Sequence, residues 1–336
     1  MITQSGAHSA GDPSPAQGGS GAQPESGKGR PSGTSTRYEW TRDLRGYAGK
    51  PPQAGWPGGA RVAVSFVLNI EEGSERSVLA GDDDNESVYD MISTVVGGPN
   101  LHMVCNFTYG ARAGYWRIVD LLDRYGVTCT VNGCAQALEM TPWIAEDCVR
   151  RGYEIACHGY RWESHERMSE AFERERIAMA VETITRICGR RPLGWHSRSP
   201  ESINTRRLVI EEGGFIYDSD TTEDDLPFLV DLGDREHVVV PYTSDNNDMF
   251  LQRVEGFRLG RHLAEYVINS FDQLYEEGAT VPKMMTVGLH TRIIGRPGRI
   301  AALEQIIRHM RSRPDVWFAQ RGQIAQHWLN RFGKCK

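Results

Sequence analysis

From about residue 60 onward, apolar side chains gather in short runs separated by turn-forming residues. RVAVSFVLNI (Arg61 to Ile70) is mostly apolar and β-branched, the composition of a strand buried on both faces. YWRIVDLLDRYG (Tyr115 to Gly126) instead spaces Trp116, Ile118, Val119, Leu121 and Leu122 for one face of a helix and stops at glycine. VTCTVNG (127 to 133) then reads as a strand. TPWIAEDCVRRG (Thr141 to Gly152) carries a Thr N-cap, a proline at the first helical position and a glycine after the end. YEIACHG follows as a strand leading into His158. Similar spacing predicts helices over 166–188, 203–212, 261–276 and 299–311, and strands near 237–240, 284–290 and 315–319. Strand and helix alternating through short connections predict an α/β fold whose parallel sheet closes into a barrel, with chemistry where strands end.

The first 36 residues break this pattern. They are rich in Ser, Gly, Pro, Ala and Gln and contain no aromatic residue, the composition of a disordered tail ahead of a single globular domain over 37–336. The 336-residue chain has a formal net charge of -6 with its 38 basic residues scattered, which argues against a nucleic-acid partner. Its seven cysteines form no CxxC pair, so reduced thiols are expected. No run of about 18 apolar residues and no basic-then-apolar leader is found. These features predict a cytoplasmic protein with a small-molecule substrate and no membrane partner.

The polar residues that terminate the predicted strands form a short set: Asn69, Glu71 and Glu72; His158; His196 and Arg198; Asp218 and Asp220; His290 and Arg292. Taken singly, each has a bland reading, such as a solvated Glu-Glu-Gly loop or a hydrogen-bonded strand-end histidine. Together they are the parts of an acid-base hydrolytic site: a carboxylate to deprotonate water, a histidine to protonate a leaving nitrogen, and donors for an oxyanion. No GxGxxG, GxxxxGK[ST] or GxSxG motif offers another chemistry. A divalent ion held from one helical turn needs histidines three or four residues apart, but Trp162 stands four after His158 and His165 stands seven after it.

Several stretches in order resemble the polysaccharide deacetylase (NodB-homology) superfamily, and within it the cofactor-independent allantoinase branch. They are VLNIEEGSE (67–75), YGARAGYWRI (109–118), IACHGYRW (155–162), NTRRLVIEEGGFIYDSDTTEDDLPF (204–228), VPYTSDNNDM (240–249) and VGLHTRIIGRPGRIAALEQII (287–307). The resemblance implies a distorted (β/α) barrel. It puts Glu71 on the general-base position, Glu72 on the metal-carboxylate position, Arg198 on the arginine that orients the base, and His290 on the general acid. Trp162 falls on the second-histidine position, so no metal is expected, and His158 is left to bind substrate or position water. Asn69, Glu72, His158, Trp162, Trp195, His196 and Asp220 are expected to bind substrate. A divalent metal such as zinc, held by Glu72 and His158 with His196 or His165, is the alternative.

GWHSRSPES replaces the branch's GWYTGR-like segment, HMVCNFTYG is shorter than its counterpart, and NDMF replaces Asn-Asp-Met-Arg. The substrate is therefore expected to differ while the chemistry is kept. The implied activity is hydrolysis of a non-peptide carbon–nitrogen bond in a small cyclic ureide or imide. Removal of an acetyl or formyl group from an amino sugar or a biosynthetic intermediate is the alternative. A homo-oligomer is the expected assembly.

Overall fold

The computed structural model describes residues 42–87, 94–231, 235–253 and 256–334; the tail expected over 1–36 lies outside them. Among the described residues nine strands form one sheet: β1 (Val62–Ile70), β2 (Thr130–Gly133), β3 (Glu154–Cys157), β4 (Gly194–Trp195), β5 (Tyr217–Asp218), β6 (Phe228–Asp231), β7 (Glu236–Val239), β8 (Lys283–His290) and β9 (Val316–Phe318). Their order is β6-β7-β5-β4-β3-β2-β1-β8, with β9 also pairing β1; every pairing is parallel except β6 with β7. The helices are α1 (Leu101–Tyr109), α2 (Tyr115–Tyr125), α3 (Ala135–Met140), α4 (Pro142–Arg150), α5 (Glu170–Cys188), α6 (Thr205–Glu212), α7 (Gly260–Glu277), α8 (Pro297–Arg311) and α9 (Arg321–Phe332). None among the described residues is long and apolar enough to cross a membrane.

All nine residues of β1 are buried, as its unbroken apolar run requires of a central strand covered on both faces. Beyond β7 the chain continues without regular pairing and reaches β8, where Thr286 N–H donates to Thr243 Oγ1 at 3.0 Å and Asn247 bridges Gly288. This segment curls the sheet toward a closed barrel. Arg321, wholly buried, braces the interior by donating to Thr286 Oγ1 (2.7 Å), Ser219 Oγ (2.7 Å) and Pro241 O (3.0 Å).

Two local features depart from expectation. Thr141 does not cap α4 with its side chain; its hydroxyl donates to Ala137 O at 2.7 Å, because the residue also closes α3. α1 and α2 are joined by a π turn over Gly110–Gly114. A Cβ on Gly110 would collide with the Glu72 carboxylate and the Thr291 hydroxyl, so glycine lets this wider turn lie directly on the strand ends.

Candidate active site

Glu71 and Glu72 follow β1 directly and are 1% and 3% exposed, so the solvated-loop reading of this pair does not hold. Glu71 is gripped through both oxygens. Its Oε2 accepts from an Arg292 guanidinium nitrogen at 2.5 Å, while Oε1 lies 3.3 Å from His158 Nε2 and 3.4 Å from His290 Nε2. Burial alone would push its pKa up. The Arg292 and His290 charges, with hydrogen bonds from both imidazoles, outweigh that and hold it well below the usual carboxylate range. Glu72 Oε1 accepts from the Thr291 hydroxyl and lies 3.3 Å from Arg292.

His290 ends β8 in register with Asn69 of β1, two residues before Glu71. Asp248 holds it twice, accepting from Nδ1 at 2.6 Å and from the backbone N–H at 2.8 Å. With Nδ1–H committed to a carboxylate, Nε2 faces Glu71. Burial disfavours the imidazolium, but the Glu71 and Asp248 charges override it and raise His290 to about 9. A protonated acid and an ionised base thus stand side by side. His158, one residue beyond β3, donates from Nδ1 to His196 O at 2.6 Å, which directs its Nε2 at Glu71.

The arginine beside Glu71 is not the one the family resemblance implied. Arg198 pairs instead with Glu86, at 3.1 and 3.2 Å, and its guanidinium carbon stacks 4.5 Å from the Trp162 ring centre. Arg198 is thus committed to the Glu86 carboxylate, while Glu71 is held by another arginine. Arg292 takes that place, held over Phe107 at 4.2 Å and Trp162 at 5.1 Å. Strand-end position singles out Arg292 in the sequence, whereas Asp248, Thr291 and Phe107 carry no such signal.

The remaining expected residues divide. Asn69 donates to Leu289 O at 3.1 Å and accepts from Asn132 at 3.2 Å, knitting β1 to its neighbours just below Glu71. His196 stacks on His158, and Asp220 lies 3.2 Å from His196 Nδ1. Trp195, wholly buried, donates to Ser197 Oγ at 2.9 Å and packs against His165 and Phe215, so its contacts are with the framework. Asp218 is likewise structural, bonded to Arg206 at 3.0 Å and His237 at 2.9 Å.

The side chains present do not fit the two-histidine, one-carboxylate metal set. Trp162 brings no donor, His165 is turned to Glu173 at 3.1 Å, and Glu72 faces Thr291 and Arg292 while His158 faces Glu71. The Glu72–His158 alternative is therefore not assembled. Among the described residues, no group of three or more His, Cys, Asp or Glu is arranged to hold a metal ion.

Comparison with known proteins places this geometry. Residues 98–213 match the family model described as polysaccharide deacetylase. A "Putative polysaccharide deacetylase" of Schizosaccharomyces pombe is 37% identical over 314 residues, covering 87% of this chain and 97% of its own. Among solved structures, a "probable Polysaccharide deacetylase" from Pseudomonas aeruginosa PAO1 superposes with a TM-score of 0.85 at 46% identity, covering 88% of this chain and 100% of its own. PuuE allantoinase superposes with the same score and coverage at 44% identity.

Proposed function

The chain belongs to the polysaccharide deacetylase family of hydrolases, and from that premise we propose that it hydrolyses a carbon–nitrogen bond of a small cyclic ureide or imide without a metal ion. One observation carries the reading: a buried guanidinium, Arg292, supports the Glu71 carboxylate through a 2.5 Å contact. It supplies locally the fixed positive charge that a divalent ion supplies elsewhere. The likeness to PuuE allantoinase supports the choice of a ureide or imide.

In this mechanism a water that touches both Glu71 Oε1 and His158 Nε2 from the side of the substrate attacks the carbonyl and gives its proton to Glu71. The tetrahedral oxyanion forms beside the positive charges of Arg292 and His290. As the carbon–nitrogen bond breaks, His290 Nε2–H protonates the departing nitrogen, while Asp248 keeps Nδ1–H in place. Oxyanion donors are worth about 10²- to 10³-fold each, which suits the activated carbonyl of an imide or ureide better than an unactivated acetamide. Removal of an acetyl group from an amino sugar is the second reading, supported by the names of the deacetylase relatives. Assay of chelator-treated protein on both substrate classes separates the two.

A further inference from the structure

His196 is the middle ring of a three-ring stack. His158 covers one face, with centroids 5.2 Å apart and planes 8° from parallel, and Tyr242 covers the other at 4.5 Å and 13°. With both faces taken, the imidazole can meet a ligand only by its edge. On one side of that edge, Nδ1 is buried and lies 3.2 Å from Asp220 Oδ1, off the line of a straight hydrogen bond. Asp220 is fixed there by the Ser197 N–H and hydroxyl, each at 2.7 Å.

A lone pair on Nδ1 would oppose that carboxylate oxygen, so the ring proton belongs on Nδ1. Burial, reinforced by neighbouring His158 and Arg321 and opposed by Asp220, lowers the His196 pKa and favours the neutral ring. Nε2 then carries a lone pair. Among the described residues it has no hydrogen-bond partner and, unlike Nδ1, it is not buried; 15% of the side chain is exposed, against 4% for His158.

We propose that His196 is a specificity-determining residue whose Nε2 accepts a hydrogen bond from an unsubstituted N–H next to the scissile carbonyl of an imide or ureide. This rests on the function proposed above. Strands β3 and β4 pair Cys157 with Trp195, so His158 and His196 leave the sheet as neighbours. A heterocycle whose carbonyl lies over Glu71 meets the adjacent ring with its next N–H.

The test compares kcat/KM for a cyclic imide or ureide with that for its N-methyl counterpart. Wild type is expected to prefer the N–H form by about 10- to 100-fold, the loss that follows when an acceptor covered by the bound ligand is left unpaired. His196→Phe keeps a ring in the stack without an acceptor, and its preference should fall to within about threefold; His196→Gln should recover part of it. Equal use of both forms by wild type, or preference retained in His196→Phe, overturns the proposal. ¹⁵N NMR of histidine-labelled wild type, with His196 assigned by its loss in His196→Gln, should show an unprotonated Nε2 at neutral pH. An Nε2–H tautomer or an imidazolium overturns it independently of any variant's folding. Absence of turnover with every imide and ureide defeats the functional reading and this role with it, whereas turnover without N–H preference defeats only the role.

Discussion

Arg292 donates to Glu71 across 2.5 Å, and neither side chain is more than 1% exposed. Breaking a buried pair by removing one partner typically costs about 3–5 kcal/mol, because the other charge is left uncompensated. Arg292→Met is expected to destabilise the fold by that order and to raise the Glu71 pKa, moving the acid limb of the kcat/KM–pH profile upward. Arg198→Met should leave that limb in place, since Arg198 pairs with Glu86. An acid limb that responds to Arg198 and not to Arg292 would restore the assignment implied by the resemblance.

The alkaline limb should report His290. Its pKa is raised to about 9 by Glu71 and Asp248 against burial, so the imidazolium needed to protonate the leaving nitrogen persists to near pH 9 and is lost above it. Asp248→Asn removes one of the two raising charges, and the limb should move down toward the ordinary value of 6.5. Because the folded pKa is raised, the associated stability is fully present below about 6.5 and is lost as pH rises through 9. Urea unfolding across that window, compared between wild type and Asp248→Asn, should show a shallower decline in the variant.

Much of this arrangement was legible in the sequence. The apolar run of β1 is a central strand, and the strand-end position of Glu71, Glu72, His158 and His290 does bring them together. Two-residue strands such as Gly194–Trp195 and Tyr217–Asp218 are too short to show a period, so in the sheet's far half only β7 is legible as a run, and β4 and β5 show only through the polar residues that follow or end them. α9, which is not among the predicted helices, carries a helical signal in Ile324, Ala325 and Trp328. Arg292 and Glu71 lie 221 residues apart, and Arg198 pairs with Glu86, 112 residues away. Pairing at that separation is decided by packing, which no local pattern encodes.

His165 should matter for stability and little for chemistry. It donates to Glu173, a fully buried carboxylate that also accepts from Ser202 (2.5 Å) and Thr205. His165→Ala leaves Glu173 short of one donor, a loss worth about 1–3 kcal/mol. Thermal or urea unfolding should register it, with kcat/KM changed only a few-fold; a collapse of kcat/KM in folded protein would give His165 a direct role.

Gly110→Ala is expected to damage the site through Glu72. The added methyl collides with the Glu72 carboxylate and the Thr291 hydroxyl, and overpacking of this kind costs about 1–3 kcal/mol. The expected readout is a lower melting temperature with reduced kcat; a variant as stable and active as wild type would show that the π turn moves aside freely.

The central claim is that Glu71, fixed by Arg292, activates water for carbon–nitrogen hydrolysis without a metal. Its most direct test is the turnover of allantoin, hydantoins, succinimide-type imides and N-acetyl amino sugars by chelator-treated wild type and Glu71→Gln, with elemental analysis of the same samples. The expected result is metal-free hydrolysis of a cyclic ureide or imide by wild type, reduced about 10²- to 10⁴-fold in the variant. Hydrolysis confined to N-acetyl amino sugars and restored only by added zinc would contradict it.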